Sequence, residues 1–232
     1  MEGASGIIHS PPVEGSRKPF PRTRHYVRKG SAGEETALKL ALIGTHGVGK
    51  TTLAFELCSL LKKAEYNVEL VTEIARHAPF PVNEGTSLEA QLWILHTQVA
   101  AEIRAAAQAT HVICDRSVLD NYCYLVNKFG RQHSLESWLE WWLRSYSLLV
   151  GVPPLPDGIP PDGFRSENLE FQQRIHDLLC ELLDASPFHR IRDRVYWLEP
   201  RERRIWGERI FAAMAPLLET SVRPIRRTGA GA

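Results

Sequence analysis

Apolar residues fall into short runs that alternate with stretches of helical period. Leu38-Lys39-Leu40-Ala41-Leu42-Ile43 reads as a buried strand, and Leu53 to Leu61 then repeats with the period of a helix. Residues 67–72 read as a second strand, ending in Glu73-Ile74-Ala75-Arg76-His77. A Pro/Gly/Asn loop follows, then a long helix over 87–109 with Leu88, Leu92, Leu95, Val99, Ile103 and Ala106 as its apolar stripe. Gln91, Gln98 and Arg104 lie off that stripe. Residues 111–116 form a third strand with an acid at its carboxyl end. Ser117 to Asp120 fits a capping signature for the next helix, which buries Val118, Tyr122, Leu125 and Phe129. Ser134 is the expected cap of a helix with Leu135, Trp138, Leu139, Trp142 and Tyr146 inward. A fourth strand at 147–150 leads into a Pro/Gly-rich loop over 151–165, of the length and composition of a lid. Ser166 is the expected cap of a helix to about 184. A fifth strand spans 194–198, and a last helix runs from about 201 to 215, where Pro216 ends or kinks it.

Five strands alternating with helices predict an α/β fold, a five-stranded parallel sheet flanked by helices, with ligands outside the carboxyl ends of the strands. The first turn narrows this. Gly44-Thr45-His46-Gly47-Val48-Gly49-Lys50-Thr51-Thr52 sits between a strand and a helix, the context of a phosphate-binding P-loop. The glycines allow the backbone N–H groups to turn inward, and the helix opening at Lys50 adds the positive end of its dipole. Lys50 is expected to reach the β- and γ-phosphates of a nucleoside triphosphate, and the Thr51 hydroxyl to bind Mg²⁺.

Composition adds bounds. The chain has 232 residues, enough for one α/β domain, expected over 37–220 between a basic leader (1–36) and a tail (221–232). Arg17, Lys18, Arg22, Arg24, Arg28 and Lys29 make the leader either a basic arm or a solvated segment. A formal net charge of +1 gives no drive toward nucleic acid or membrane. Cys58, Cys114, Cys123 and Cys180 lack ligand spacing and read as free thiols in a reducing compartment, and with no apolar signal-peptide core or membrane-length apolar run in the sequence the expectation is a cytoplasmic protein.

Guanine recognition would need Asn-Lys-x-Asp, but Asn127-Lys128-Phe129-Gly130 lacks the acid. A water-activating ATPase would carry Glu after the third-strand acid, where Arg116 follows Asp115. Asp115-Arg116-Ser117, with Asn121-Tyr122, resembles the Asp/Glu-Arg-Ser element of deoxynucleoside and thymidylate kinases. Thr72 to Arg76 and Asp162 to Ser166 resemble elements of the AAA-type P-loop domains related to the nicotinamide riboside kinase domain of a bifunctional bacterial NAD-salvage protein. The resemblance covers about 38–215 and implies an ATP- and Mg²⁺-dependent kinase for a nucleoside- or nucleotide-like acceptor. Thr51 and Asp115 would hold the metal. Glu73 is a candidate base toward an acceptor hydroxyl or else a strand-end acid. Arg76 and Arg116 are candidates for acceptor or transferring phosphate, with a surface ion pair the other reading for Arg76. Arg165 is a candidate arginine finger in the lid or an exposed loop residue, and Arg203 is either near adenine or a solvated helix start. The competing function is a regulatory ATPase acting through a protein partner, with the leader or the tryptophans at 138–142 as its contact; a homodimer is equally compatible.

Overall fold

The computed structural model describes residues 38–82, 85–155 and 168–220. The leader, the tail, most of the expected lid with Arg165, and Ser166 lie outside them. Five strands, β1 (Leu38–Ile43), β2 (Val68–Val71), β3 (His111–Cys114), β4 (Leu148–Gly151) and β5 (Val195–Trp197), form one parallel sheet in the order β2-β3-β1-β4-β5. Seven α-helices pack on it among the described residues: α1 (Lys50–Lys63), α2 (Leu88–Gln108), α3 (Val118–Phe129), α4 (His133–Leu143), α5 (Leu169–Asp184), α6 (His189–Arg192) and α7 (Trp206–Thr220). β1 is buried along its whole length, and its alternation divides the core. Ala41 and Ile43 face the layer containing α2, α3 and α5; Leu38, Leu40 and Leu42 face α1 and α7. The chain leaves β1, β2 and β3 at the same sheet edge, so the P-loop, Glu73 and Asp115 come together there.

Two expected caps hold. Ser87 accepts from the Ala90 N–H, and Ser117 forms a full capping box with Asp120. Two others move. α4 opens at His133, so Ser134 lies inside its first turn. α5 is capped by Asn168, whose Oδ1 accepts from the Phe171 N–H at 3.0 Å, rather than by Ser166. The last helix is a 3₁₀ segment over Pro200–Ile205 followed by α7, which continues through Pro216 to Thr220.

The apolar stripe assigned to the long helix is rotated from the face α2 buries. Leu88 and Ile103 are exposed, whereas Gln91, Gln98 and Glu102 are buried with Ala90, Ile94, Leu95 and Ala105. The reason is polar satisfaction: Glu102 accepts from Lys39 of β1 and from Trp142 and Tyr146 at the end of α4, and Gln91 donates to Thr86. Trp138 and Trp142, expected inward, are half-buried, and Trp141 is exposed. All four cysteines are free; Cys114 and Cys123 are buried, and burial pushes both thiols well above their ordinary range.

A second buried carboxylate ties α3 to α4. Glu136 receives Arg131 Nε at 2.6 Å, Arg131 Nη2 at 2.9 Å and the Tyr122 hydroxyl at 2.8 Å, with His133 Nδ1 3.0 Å away. Burial pushes its pKa up, but these hydrogen bonds outweigh burial and bring it from 4.5 to about 2. The native state therefore favours the carboxylate. Its contribution to stability is complete above about pH 4.5 and is lost as pH falls toward about 2. Glu136→Gln is expected to lower the thermal midpoint at neutral pH, with the gap to the parent closing across that acid window in a pH series of melts.

Candidate functional site

The P-loop geometry follows from three left-handed glycines and a lysine turned back on the loop. Gly44 has φ 149°, and a Cβ there would lie 2.5 Å from the Val152 carbonyl oxygen, so only glycine fits this crossing of β1 and β4. Gly49, at φ 92°, is the residue before the first turn of α1. The Gly44 N–H is held by Asp120 Oδ1 at 2.7 Å. Asp120 Oδ2 meanwhile takes the Ser117 N–H at 2.8 Å and the Ser117 hydroxyl at 2.7 Å. One carboxylate thus joins the start of the P-loop to the start of α3.

Lys50 is buried, and its ammonium donates to the Gly44 carbonyl at 2.8 Å and the Thr45 carbonyl at 2.5 Å. Burial, and secondly the charge of Arg116, lower its pKa from 10.5 to about 7 against the pull of Asp120, Asp115 and Glu73. Thr51 donates to Asp115 Oδ2 at 2.6 Å, and burial raises the Asp115 pKa although Lys50 and Thr51 oppose it. Val48 points into the core, so its part in the loop is its backbone; Thr52 is exposed.

Arg116 is 4% exposed. Its Nε and Nη2 donate to Glu73 Oε1 at 2.8 and 2.7 Å, and Nη1 is buried with no partner. Burial disfavours the charged guanidinium, but Glu73 more than compensates and its pKa is raised. Its backbone has φ 120°, a left-handed conformation that costs a non-glycine residue about 1–3 kcal/mol. Glu73, at the carboxyl end of β2, also takes Arg76 Nε on Oε2 at 3.0 Å. The Arg76 side chain is about one-third exposed, as a rim residue would be.

The structure brings Lys50, Thr51, Glu73, Arg76, Asp115 and Arg116, all candidates from the sequence, into one cluster. Sequence reasoning missed a second wall from α3 and α5. Gln172 donates to the His46 carbonyl at 2.7 Å and its own carbonyl accepts from Thr45 Oγ1 at 2.8 Å. Tyr124 lies under the Arg116 guanidinium, 5.3 Å from ring centroid to Cζ, with its hydroxyl 3.1 Å from His46 Nδ1. Phe171 packs on the His46 ring, 5.4 Å between centroids. Asp120 carried a capping signature; Tyr124, Phe171 and Gln172 carried no signal, since each sits in an amphipathic helix whose register against the loop is a tertiary property.

A parallel sheet with a glycine loop at the end of its central strand, Lys-Thr opening α1 and an acid closing β3 define the class: a P-loop nucleoside triphosphatase fold. Within that class the chain belongs to the AAA domain family, which it matches over residues 39–201. The fold is similar to that in the crystal structure of NadR protein in complex with NR, with a TM-score of 0.52 at 18% identity, over 70% of this chain and 44% of that one. The chain thus matches less than half of that protein's length, and a likeness at this identity carries the fold alone. No curated protein matches the sequence.

The Lys50 arrangement has a titration signature. Its folded pKa lies below its unfolded one, so between about pH 7 and 10.5 the native state binds fewer protons than the unfolded chain. Lys50 thus makes stability rise with pH across that window. Lys50→Met is expected to flatten this slope in nucleotide-free denaturant titrations.

Proposed function

We propose that the protein is an ATP- and Mg²⁺-dependent phosphotransferase acting on a small nucleoside- or nucleotide-like acceptor. The observation that carries the reading is where the carboxylates of the cluster are committed. Asp115 is bonded to Thr51, Asp120 to Gly44 and Ser117, and Glu73 to Arg116 and Arg76. An ATPase that splits water needs an acid beside the metal-side Asp115. That position is Arg116, and the nearby acid Glu73 lies instead across the guanidinium, at the end of β2.

The residues fit the groups the reading requires. Thr51 and Asp115 are adjacent hard oxygen donors, and a Mg²⁺ bound mainly by phosphates and water needs only one or two protein oxygens. The described residues contain no cluster of three or more His, Cys, Asp or Glu of the kind that holds a metal by protein ligands alone. The cation would neutralise charge on the phosphates. Lys50 would exchange its two carbonyl partners for phosphate oxygens, and phosphate would favour the charged ammonium that burial now disfavours. The unpartnered Nη1 of Arg116 is a donor suited to an oxygen of the transferring or acceptor group. Glu73 Oε2, paired with the partly exposed Arg76, is the carboxylate oxygen an acceptor hydroxyl would reach. The regulatory alternative finds support in Trp141, 55% exposed on α4.

The deciding experiment incubates the purified protein with γ-labelled ATP and Mg²⁺ over nucleosides, nucleoside monophosphates and pyridine ribosides. Label appearing in an acceptor supports transfer; label released only as inorganic phosphate favours the regulatory ATPase. Lys50→Ala is expected to abolish turnover with the melt retained, and a near-native rate would remove the P-loop from the chemistry. Asp115→Asn is expected to lose Mg²⁺-dependent rate, read in a metal titration. For a hydroxyl acceptor, Glu73→Gln is expected to lower kcat by roughly 10²–10⁴; a small loss points to a phosphate acceptor, which needs no base.

A further inference from the structure

Beneath the site, β1, α2 and the end of α4 enclose a polar group that the phosphoryl-transfer reading does not use. Glu102 is 1% exposed. Its Oε2 accepts from Lys39 Nζ at 2.7 Å and Trp142 Nε1 at 2.9 Å, and its Oε1 accepts from Gln98 Nε2 at 2.9 Å and the Tyr146 hydroxyl at 2.6 Å. Those four bonds use the capacity of a carboxylate. The Lys39 ammonium also sits 4.4 Å from the centroids of both the Trp142 and Tyr146 rings, so the assembly is fixed by charge, hydrogen bonds and packing together.

Two arms leave this assembly and end on the same short stretch of backbone. The other Gln98 amide hydrogen donates to the Arg116 carbonyl at 3.2 Å. The Tyr146 hydroxyl gives its only proton to Glu102, and its oxygen accepts from the Val118 N–H at 3.3 Å. The orientation of Gln98 is determined, because both groups it faces are acceptors and its own oxygen would be repelled by each. The peptide groups on either side of Ser117 are therefore gripped from below, immediately after the residue whose φ is 120°. A simple core would fill positions 98 and 102 with apolar side chains and leave those two peptide groups without these partners.

We infer that Gln98 and Tyr146, oriented by Glu102, are positioning residues that hold Arg116 in its left-handed backbone conformation and so keep its guanidinium on Glu73 beside the P-loop. Relaxation of Arg116 to negative φ would turn the side chain away while leaving β3 and α3 in place. The inference rests on the reading of Arg116 as part of the reacting site, but the clamp itself can be tested without it.

Gln98→Met keeps the volume and removes both donors. Hydrogen exchange followed by mass spectrometry is expected to accelerate in peptides covering 115–121 and to stay unchanged in α1 and the P-loop. In steady-state transfer assays kcat is expected to fall roughly 10- to 100-fold, the scale of a misplaced group, with the ATP KM within about twofold. The same substitution in an Arg116→Ala background is expected to cost nothing further, because the two act through one side chain. Tyr146→Phe, which removes the other arm, should give the same pattern. Losses that multiply in the Arg116→Ala background, or unchanged exchange at 115–121, would overturn the clamp. If the parent protein transfers no phosphoryl group, the functional reading fails and exchange alone decides: acceleration confined to 115–121 supports the clamp, and acceleration spread through α2 and β3 makes Gln98 a packing residue and refutes it.

Discussion

A buried guanidinium is costly unless a carboxylate is buried with it, and in this fold that requirement ties together the ends of two strands. Arg116 closes β3 and Glu73 closes β2, 2.7 Å apart at their nearest atoms. Loss of Glu73 would leave the Arg116 guanidinium without a carboxylate, whereas loss of Arg116 would still leave Glu73 its pair with Arg76. The pair brings a positive group toward Lys50, whose ammonium is already disfavoured by burial, and the carboxylates of Asp115, Asp120 and Glu73 offset part of that. The P-loop, the β3 acid and the first turn of α3 are thus members of one charge balance rather than separate motifs. Asp120 is the clearest case, being at once the capping acid of α3 and the anchor of Gly44.

This balance explains which parts of the molecule the sequence disclosed. Strands with both faces covered are continuous apolar runs, and β1, β3 and β4 lie within a residue or two of their expected positions, because burial on two faces leaves no room for polar side chains. The P-loop was legible because its glycines answer to local backbone geometry, which short-range sequence encodes. α2 was misread in its facing, and the cause is specific. Gln98 and Glu102 look like solvent positions when polarity is taken to mean exposure, yet their partners Lys39, Trp142, Tyr146 and the Arg116 carbonyl come from segments up to 63 positions away. A buried polar residue is recognisable only together with the groups that satisfy it. The order of the strands, and the contact of Gln172 with the loop, depend on tertiary packing in the same way.

The hydrogen bonds of the site also constrain what any ligand must do. Lys50 donates to two carbonyls of its own loop, Thr51 donates to Asp115, and Asp120 accepts from a loop amide, so these groups already have partners within the protein. A phosphate arriving here exchanges bonds instead of adding them, and its net gain is the difference between a charge-assisted contact and a neutral carbonyl. That difference is large only for a multiply charged ligand accompanied by a cation, which relieves the buried Lys50 and Asp115 together. On the proposed function, selectivity for a metal-bound polyphosphate over a lone anion would follow from the cost of breaking the internal set, and Arg116, bonded to Glu73 through its side chain and to Gln98 through its carbonyl, would offer its remaining donor to whatever that phosphate meets.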